Sequence, residues 1–107
     1  MTGTISPATL LDQIASGSAP AIVDVRSERE FRAGHVPGAI NIPFWTVSRR
    51  IAAIRSARDE ELVVYCGHGP RAMVAARTLR KHGFTRVVYL KGHFSKWRSA
   101  GLNEVRG

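Results

Sequence analysis

The sequence is poor in the residues that would cross-link it or carry it through a membrane. Its 107 residues include a single cysteine, Cys66, so no disulfide can form within the chain. No apolar run approaches the roughly 20 residues that a membrane-spanning helix needs, and the first residues lack the basic and apolar regions of a secretory signal. We therefore expect a cytoplasmic protein that does not bind membranes, with Cys66 kept as a free thiol.

Acidic residues are scarce, and the chain carries a large positive charge. Eight Asp and Glu residues face 16 Lys and Arg residues, which gives a formal charge of +8 with histidine neutral. This excess favours anionic partners, but the arginines are scattered, as on an ordinary solvated surface. Aromatic residues are only 7% of the chain and do not alternate with basic ones. We therefore expect no binding to nucleic acid.

Motifs for metal or nucleotide binding are missing as well. Cys66 and His68 lie close together, but a zinc site needs further ligands, and His35, His82 and His93 belong to separate predicted elements. The segment around Cys66 also lacks the Gly-Lys-Ser/Thr ending of a phosphate-binding loop. The residues therefore predict no metal site.

The chain does contain the alternation of strands and helices that is typical of an α/β fold. Hydrophobic residues are 44% and charged residues 22% of the total, as in a packed globular protein, and the length suits one domain, residues 1–107. Four apolar runs at this spacing predict a mostly parallel sheet. The runs are Ala21-Ile22-Val23-Asp24-Val25, Ala39-Ile40-Asn41-Ile42, Leu62-Val63-Val64-Tyr65 and Arg86-Val87-Val88-Tyr89-Leu90.

Helix signals fill the segments between these strands. Ser6-Pro7 is typical of an N-cap followed by proline in the first helical position. Ser27 and Glu30 have the spacing of a capping box. Apolar residues at helical spacing predict a helix over residues 46–58, another over residues 72–82, and a short last helix near the C-terminus.

The segment that could carry chemistry follows the third predicted strand. It begins with Cys66 and leads into the helix over residues 72–82. In open α/β sheets, ligands bind at the carboxyl ends of the strands. The free N–H groups and the dipole of a helix N-terminus also stabilise a thiolate. We therefore predict that Cys66 is a nucleophile at neutral pH.

The other residues of this loop suit a cup around an anion. Gly67 and Gly69 allow the backbone to turn its N–H groups inward, Pro70 can open the helix, and Arg71 adds a guanidinium at the mouth. His68 is either an exposed loop residue or a group that polarises the substrate. The pattern thus predicts one site formed by consecutive residues.

Several motifs occur in an order that covers nearly the whole chain. The most specific is Gly34-His35-Val36-Pro37-Gly38-Ala39-Ile40-Asn41-Ile42-Pro43. The others are Ile22-Val23-Asp24-Val25-Arg26, Glu30-Phe31, Cys66 with Gly69 and Arg71, and Tyr89-Leu90-Lys91-Gly92 with Trp97 and Gly101. Together they resemble the rhodanese (thiosulfate sulfurtransferase) superfamily, specifically its single-domain members. The resemblance implies a rhodanese-like fold, a mostly parallel five-stranded sheet flanked by helices on both faces, with Gly3-Thr4-Ile5 as the fifth strand.

The resemblance also implies a double-displacement sulfurtransferase reaction. The Cys66 thiolate would take a sulfane sulfur from a donor such as thiosulfate and become a persulfide. The outer sulfur would then pass to a thiophilic acceptor such as cyanide, a thiol or a protein. No cofactor is needed, because the loop N–H groups and Arg71 would hold the anionic persulfide.

Some matching positions lie outside the loop. We interpret Asp24, Arg26 and His35 as supporting residues that hold backbone amides and arginines in place. Two departures from the family pattern are His93, where a second glycine is common, and Asn103, where proline is common. We expect both to lie away from the loop and to affect local packing.

Two rival functions fit parts of the same pattern. A related phosphatase or arsenate reductase has a loop of the form Cys-x5-Arg, whereas four residues separate Cys66 from Arg71. The shorter loop would leave too small a cup for a tetrahedral oxyanion. A persulfide carrier or regulatory module acting on a protein partner would use the same residues as the enzyme, and turnover of small donors and acceptors would separate the two.

Overall fold

A five-stranded sheet organises the chain in the computed structural model, which describes residues 3–107. The first two residues of the predicted domain 1–107 lie outside this described part. The strands are β1 (Thr4–Ile5), β2 (Ala21–Asp24), β3 (Ile40–Asn41), β4 (Glu61–Tyr65) and β5 (Arg86–Leu90). Their order across the sheet is β1-β5-β4-β2-β3, and they pair in parallel. The five-stranded α/β fold implied by the resemblance is confirmed.

Four α-helices begin close to the predicted signals: α1 (Pro7–Ser16), α2 (Glu28–Ala33), α3 (Pro70–Lys81) and α4 (His93–Ser99). Ser6 caps α1, and Ser27 and Glu30 form both hydrogen bonds of the capping box at α2. Gly83 follows α3 with a φ of 96° and lets the N–H of Phe84 bond back to the last turn. Among the described residues, no helix is long and apolar enough to cross a membrane.

The helix predicted over residues 46–58 is wrong in type and extent. Phe44–Ala53 is a 3₁₀ segment instead. Both the N–H and the hydroxyl of Thr46 bond to the Pro43 carbonyl, three residues back, and this local bonding competes with the α-helical pattern. The apolar spacing still identified the inward side of the segment, because Val47 is buried.

Alternate residues of the central strands enter two different cores. Val64 and Cys66 lie in the core covered by α3 and the 3₁₀ segment. Val63 and Tyr65 lie in the core covered by α1 and α4. Because side chains alternate along a strand, the chain leaves β4 with Cys66 directed to the face where α3 packs.

The carboxyl edge of the sheet brings three connections together. β4 lies between β2 and β5, so the segments that follow Asp24, Tyr65 and Leu90 meet at one edge. Arg26 follows β2, Cys66 follows β4, and His93 lies three residues after the end of β5. Parallel pairing of neighbouring strands is therefore what places these side chains near one another.

Candidate active site

The sulfur of Cys66 lies inside a turn of backbone between β4 and α3. The N–H of Gly69 donates to Cys66 Sγ at 2.9 Å. Gly69 is the N-cap of α3 and has a φ of 134°, a conformation that favours glycine. Cys66 as a residue is only 1% exposed. The predicted inward turn of the loop therefore places a hydrogen-bond donor on the thiol.

The surroundings of Cys66 favour its thiolate. Burial raises the pKa of the Cys66 thiol, but the His93 imidazole and the backbone N–H groups of Ala72 and Gly69 outweigh it and lower the pKa to about 7. The two backbone donors belong to the start of α3, where N–H groups have no partner within the helix. The start of α3 and His93 therefore favour the thiolate of Cys66.

The guanidinium that the sequence predicts at the mouth of the loop, that of Arg71, is paired with Glu30 of α2. Its Nη1 and Nη2 donate to Oε1 and Oε2 of Glu30 at 2.6 and 3.1 Å. The hydrogen bond from Arg71 is the main cause that lowers the pKa of Glu30 to about 2, against the opposing effect of burial. The positive charge beside Cys66 is thus partly balanced by a residue of α2.

The remaining loop residues have distinct positions. A Cβ at Gly67 would stand 3.2 Å from Arg71 Nη2, so glycine leaves room for the guanidinium. His68 is exposed, and within residues 3–107 it takes part in none of the hydrogen bonds or ion pairs of the loop. Pro70 is exposed in the first position of α3. The cup is therefore lined mainly by backbone.

His93 lies against the loop, and the expectation that it lies away from it is wrong. Its Nδ1 accepts a hydrogen bond from the N–H of Cys66 at 3.2 Å. The cause is strand order: β5 pairs with β4, so the residue that opens α4 reaches the loop after β4. One feature of the sequence points to this contact: His93 directly follows Gly92 near the end of a predicted strand. It predicts a place at the site only once β5 is known to lie beside β4.

The first turn of α4 also ties down the loop backbone. The N–H of Phe94 donates to the Cys66 carbonyl at 2.9 Å, and the N–H of Ser95 donates to the Gly67 carbonyl at 3.2 Å. Asn103, the other departure from the family pattern, lies elsewhere, and its carbonyl accepts from Trp97 Nε1 at 2.8 Å. Asn103 therefore contributes to local packing around Trp97, as expected.

Asp24 and Arg26 form a buried ion pair beneath the loop. Arg26 Nη2 donates to Asp24 Oδ2 at 2.7 Å, and both side chains are at least nine-tenths buried. Nη2 also donates to the Gly34 carbonyl at 2.7 Å, and the guanidinium carbon lies 4.2 Å from the centre of the Phe94 ring. The pair reaches the loop through Phe94 and does not contact Cys66 Sγ.

His35 supports a different part of the edge. One ring nitrogen, Nδ1, lies 2.8 Å from the Phe31 carbonyl, and the ring stacks on Phe31 at 3.6 Å between centroids. The His35 backbone exchanges both hydrogen bonds with Val105. His35 therefore fastens α2 and the C-terminal segment rather than the loop. In the described part of the chain, no group of three or more His, Cys, Asp or Glu residues could hold a metal ion.

Comparisons with known proteins agree with this architecture. The chain is 29% identical over 102 residues to a sulfurtransferase of Allochromatium vinosum, which covers 95% of this chain and 94% of that protein. It is 43% identical over 76 residues to Bacillus subtilis YqhL, which covers 71% of this chain but only 59% of that protein. The human single-domain sulfurtransferase TSTD1 superposes with a TM-score of 0.78 at 30% identity, covering 92% and 97% of the two chains.

A family model gives the clearest relationship. The model described as a rhodanese-like domain matches residues 6–100, a range that begins before α1 and ends after α4. It therefore includes Cys66 with its loop, and the buried pair Asp24 and Arg26. On this match and on the shared fold, the chain belongs to the rhodanese-like domain family.

Proposed function

We propose that this protein is a sulfurtransferase that carries a sulfane sulfur as a persulfide on Cys66. The observation that carries the proposal is the hydrogen bond from Gly69 N–H to Cys66 Sγ, at 2.9 Å, in a loop where the thiol pKa is about 7. A nucleophilic thiolate and fixed donors around it are the two things that this chemistry requires. Relatives named sulfurtransferases support the same general activity.

The first half of the reaction loads the enzyme. The Cys66 thiolate attacks the outer sulfur of a donor such as thiosulfate, and a new Sγ–S bond forms. The S–S bond of the donor breaks, and its electron pair leaves with sulfite. The product is a Cys66 persulfide with one negative charge on its outer sulfur, so no external oxidant or reductant is needed.

The second half returns the thiolate. A thiophilic acceptor, such as cyanide or a thiol, attacks the outer sulfur, the Sγ–S bond breaks, and its electron pair returns to Sγ. With cyanide the product is thiocyanate. The N–H groups at the start of α3 stabilise the anion on Sγ before loading and after release.

Burial of Cys66 restricts what can react with it. At 1% exposure of the residue, a donor must insert its terminal sulfur into the loop while its remaining atoms stay outside. A small thiosulfate ion meets this requirement more easily than a bulky disulfide. A reactive thiol of this kind also needs a reducing compartment, and we propose the cytoplasm as the place where the protein acts.

The direct test is to find the sulfur on Cys66. After incubation with thiosulfate and removal of small molecules, intact-protein mass spectrometry is expected to show one added sulfur atom that cyanide removes. Cys66→Ser, which keeps the size of the side chain but cannot form a persulfide, is expected to show none. An unmodified wild-type protein after treatment with several sulfane donors would overturn the proposal.

The same experiment separates an enzyme from a carrier. An enzyme is expected to form thiocyanate repeatedly when thiosulfate and cyanide are both present. A protein that loads sulfur but gives no turnover with any small acceptor would instead be a persulfide carrier for a protein partner. We propose the enzyme, since the backbone N–H groups of Gly69 and Ala72, which donate to the Cys66 thiol, come from this chain's own loop and the start of α3.

A further inference from the structure

We infer that His93 is the positioning residue of Cys66, and that its imidazole holds the loop in the shape that sulfur transfer requires. This inference rests on the proposed function. It adds a residue from α4 to a site whose nucleophile and loop the sequence places at residues 66–71. The role is indirect, since the hydrogen bond runs from the Cys66 backbone to the ring.

The ring spans the two residues that define the thiol's position. His93 Nδ1 accepts from the N–H of Cys66 at 3.2 Å. The opposite nitrogen, Nε2, lies 3.4 Å from where a Cβ would stand on Gly69. Gly69 is also the residue whose N–H donates to Cys66 Sγ. The imidazole is therefore packed between the two ends of the short turn that closes over the sulfur.

The hydrogen bond defines the protonation of the ring. A backbone N–H can only donate, so Nδ1 must be the acceptor and cannot carry a proton while the bond exists. In the neutral imidazole the proton is then on Nε2. Protonation of both nitrogens would place two donors against each other and break the bond to Cys66.

The backbone of His93 gives an independent reason to assign it a role. Within residues 3–107, His93 is the one residue other than glycine with a positive φ, 55°. Residues other than glycine rarely adopt a positive φ, because their Cβ crowds the backbone. Such strain is kept at sites where the side chain has a function that glycine cannot supply.

The neighbours of His93 hold the ring without replacing it. The half-buried ring lies 5.8 Å from the Tyr89 ring of β5, measured between centroids. Of the titratable side chains, the Cys66 thiol of the loop interacts with His93, and the Tyr89 ring is its neighbour on β5. The next residue, Phe94, binds the Cys66 carbonyl. Both backbone groups of Cys66 are thus held by consecutive residues of α4.

Two substitutions separate the hydrogen bond from the rest of the side chain. His93→Gly suits the positive φ but removes the acceptor for Cys66 N–H. His93→Asn tolerates a positive φ better than most residues and offers Oδ1 as an acceptor near the position of Nδ1. His82→Asn is the matched control, because His82 is exposed at the C-cap of α3 and, within residues 3–107, its side chain bonds only to Ser48.

The rate of Cys66 alkylation as a function of pH gives a midpoint that reports the pKa of the thiol, and the measurement needs no sulfur donor. His93→Gly is expected to free the loop, so that the Gly69 N–H is no longer held on Cys66 Sγ. The alkylation midpoint of Cys66 should then rise by about one pH unit and sulfur loading at pH 7 should slow roughly tenfold, with thermal unfolding at the same or a higher temperature. His93→Asn is expected to recover loading to within about threefold of wild type. The control is expected to match wild type.

Several results would overturn the inference. One is a His93→Gly protein with the wild-type midpoint and loading rate, and another is a His93→Asn protein as slow as His93→Gly. Nitrogen-15 NMR of the wild-type imidazole provides a test that needs no variant: a proton on Nε2 supports the inference and a proton on Nδ1 refutes it. Failure of wild type to load sulfur would instead refute the proposed function, while alkylation would still report the contact of His93 with Cys66.

Discussion

Arg71, in the loop that holds Cys66, is paired at two points with Glu30, the residue that completes the capping box of α2. Glu30 Oε1 also accepts from the N–H of Ser27 at 3.1 Å. One carboxylate therefore starts a helix and orients the loop arginine. Glu30, which the sequence identifies only as a capping residue, thus also contacts the candidate site in the folded protein.

The pairing sets the expected effect of removing Arg71. Arg71→Ala is expected to lower kcat/KM for thiosulfate more than for an uncharged sulfane donor such as an organic trisulfide. The side chain is about a third exposed and already paired, so the difference should be roughly 1 kcal/mol, or about fivefold. Steady-state kinetics with both donors provide the measurement.

Arg77→Ala is a control for net charge, because Arg77 is exposed on the same helix. It should change both donors equally. An equal loss for the two donors in Arg71→Ala as well would show that Arg71 has no electrostatic role toward the donor.

Glu30→Gln is expected to be less stable than wild type, by an amount that shrinks as the pH becomes acidic. The folded pKa of Glu30 is about 2, below its ordinary 4.5, so its ionised form stabilises the fold above pH 4.5. This contribution disappears as pH falls from 4.5 toward 2. Glutamine keeps an oxygen for the capping box but loses the charge. At pH 6 we expect the variant to unfold about 4 °C lower, a loss of roughly 1 kcal/mol after solvent screening.

Thermal unfolding of wild type and Glu30→Gln between pH 6 and pH 2 checks this. The gap in Tm should narrow across the acid range. Glu28→Gln is the matched control on α2, where Glu28 pairs with Arg32 in an exposed ion pair. A gap in Tm that stayed constant down to pH 2 would contradict a role for the Glu30 charge.

The buried pair beneath the loop should matter mainly for stability. Asp24→Asn leaves the Arg26 guanidinium buried with an uncharged partner, and we expect a loss of about 3 kcal/mol in the free energy of unfolding. Urea unfolding provides the measurement. Asp12→Asn, at an exposed position of α1, should change stability by less than about 0.5 kcal/mol. Similar effects of the two substitutions would argue against a stabilising role for the pair.

Loop length should exclude phosphate chemistry. Four residues separate Cys66 from Arg71, and the space that the loop encloses holds the sulfur itself, with Gly69 N–H at 2.9 Å. We expect phosphomonoesters and arsenate to be neither turned over nor inhibitory at millimolar concentration. Phosphatase activity that vanished in Cys66→Ser would favour the rival reaction.

Local signals were enough for much of the fold. Runs of apolar β-branched residues predicted the central strands, and Ser27 with Glu30 predicted the start of α2, since capping depends on residues three apart. The loop around Cys66 could also be predicted, because its glycines, its cysteine and the start of α3 are contiguous. The 3₁₀ segment Phe44–Ala53 was the exception, since apolar spacing does not distinguish it from an α-helix.

The sequence by itself determined where the proposed nucleophile lies: Cys66 stands at a strand end before a helix whose free N–H groups and dipole favour its anion. Only the tertiary structure decided which distant residues complete the site. β5 lies beside β4, and therefore His93 reaches Cys66 from 27 residues away. Glu30 meets Arg71 across 41 residues. The reason is physical: strand order and helix packing bring these groups within hydrogen-bond distance, and spacing along the chain does not encode that order.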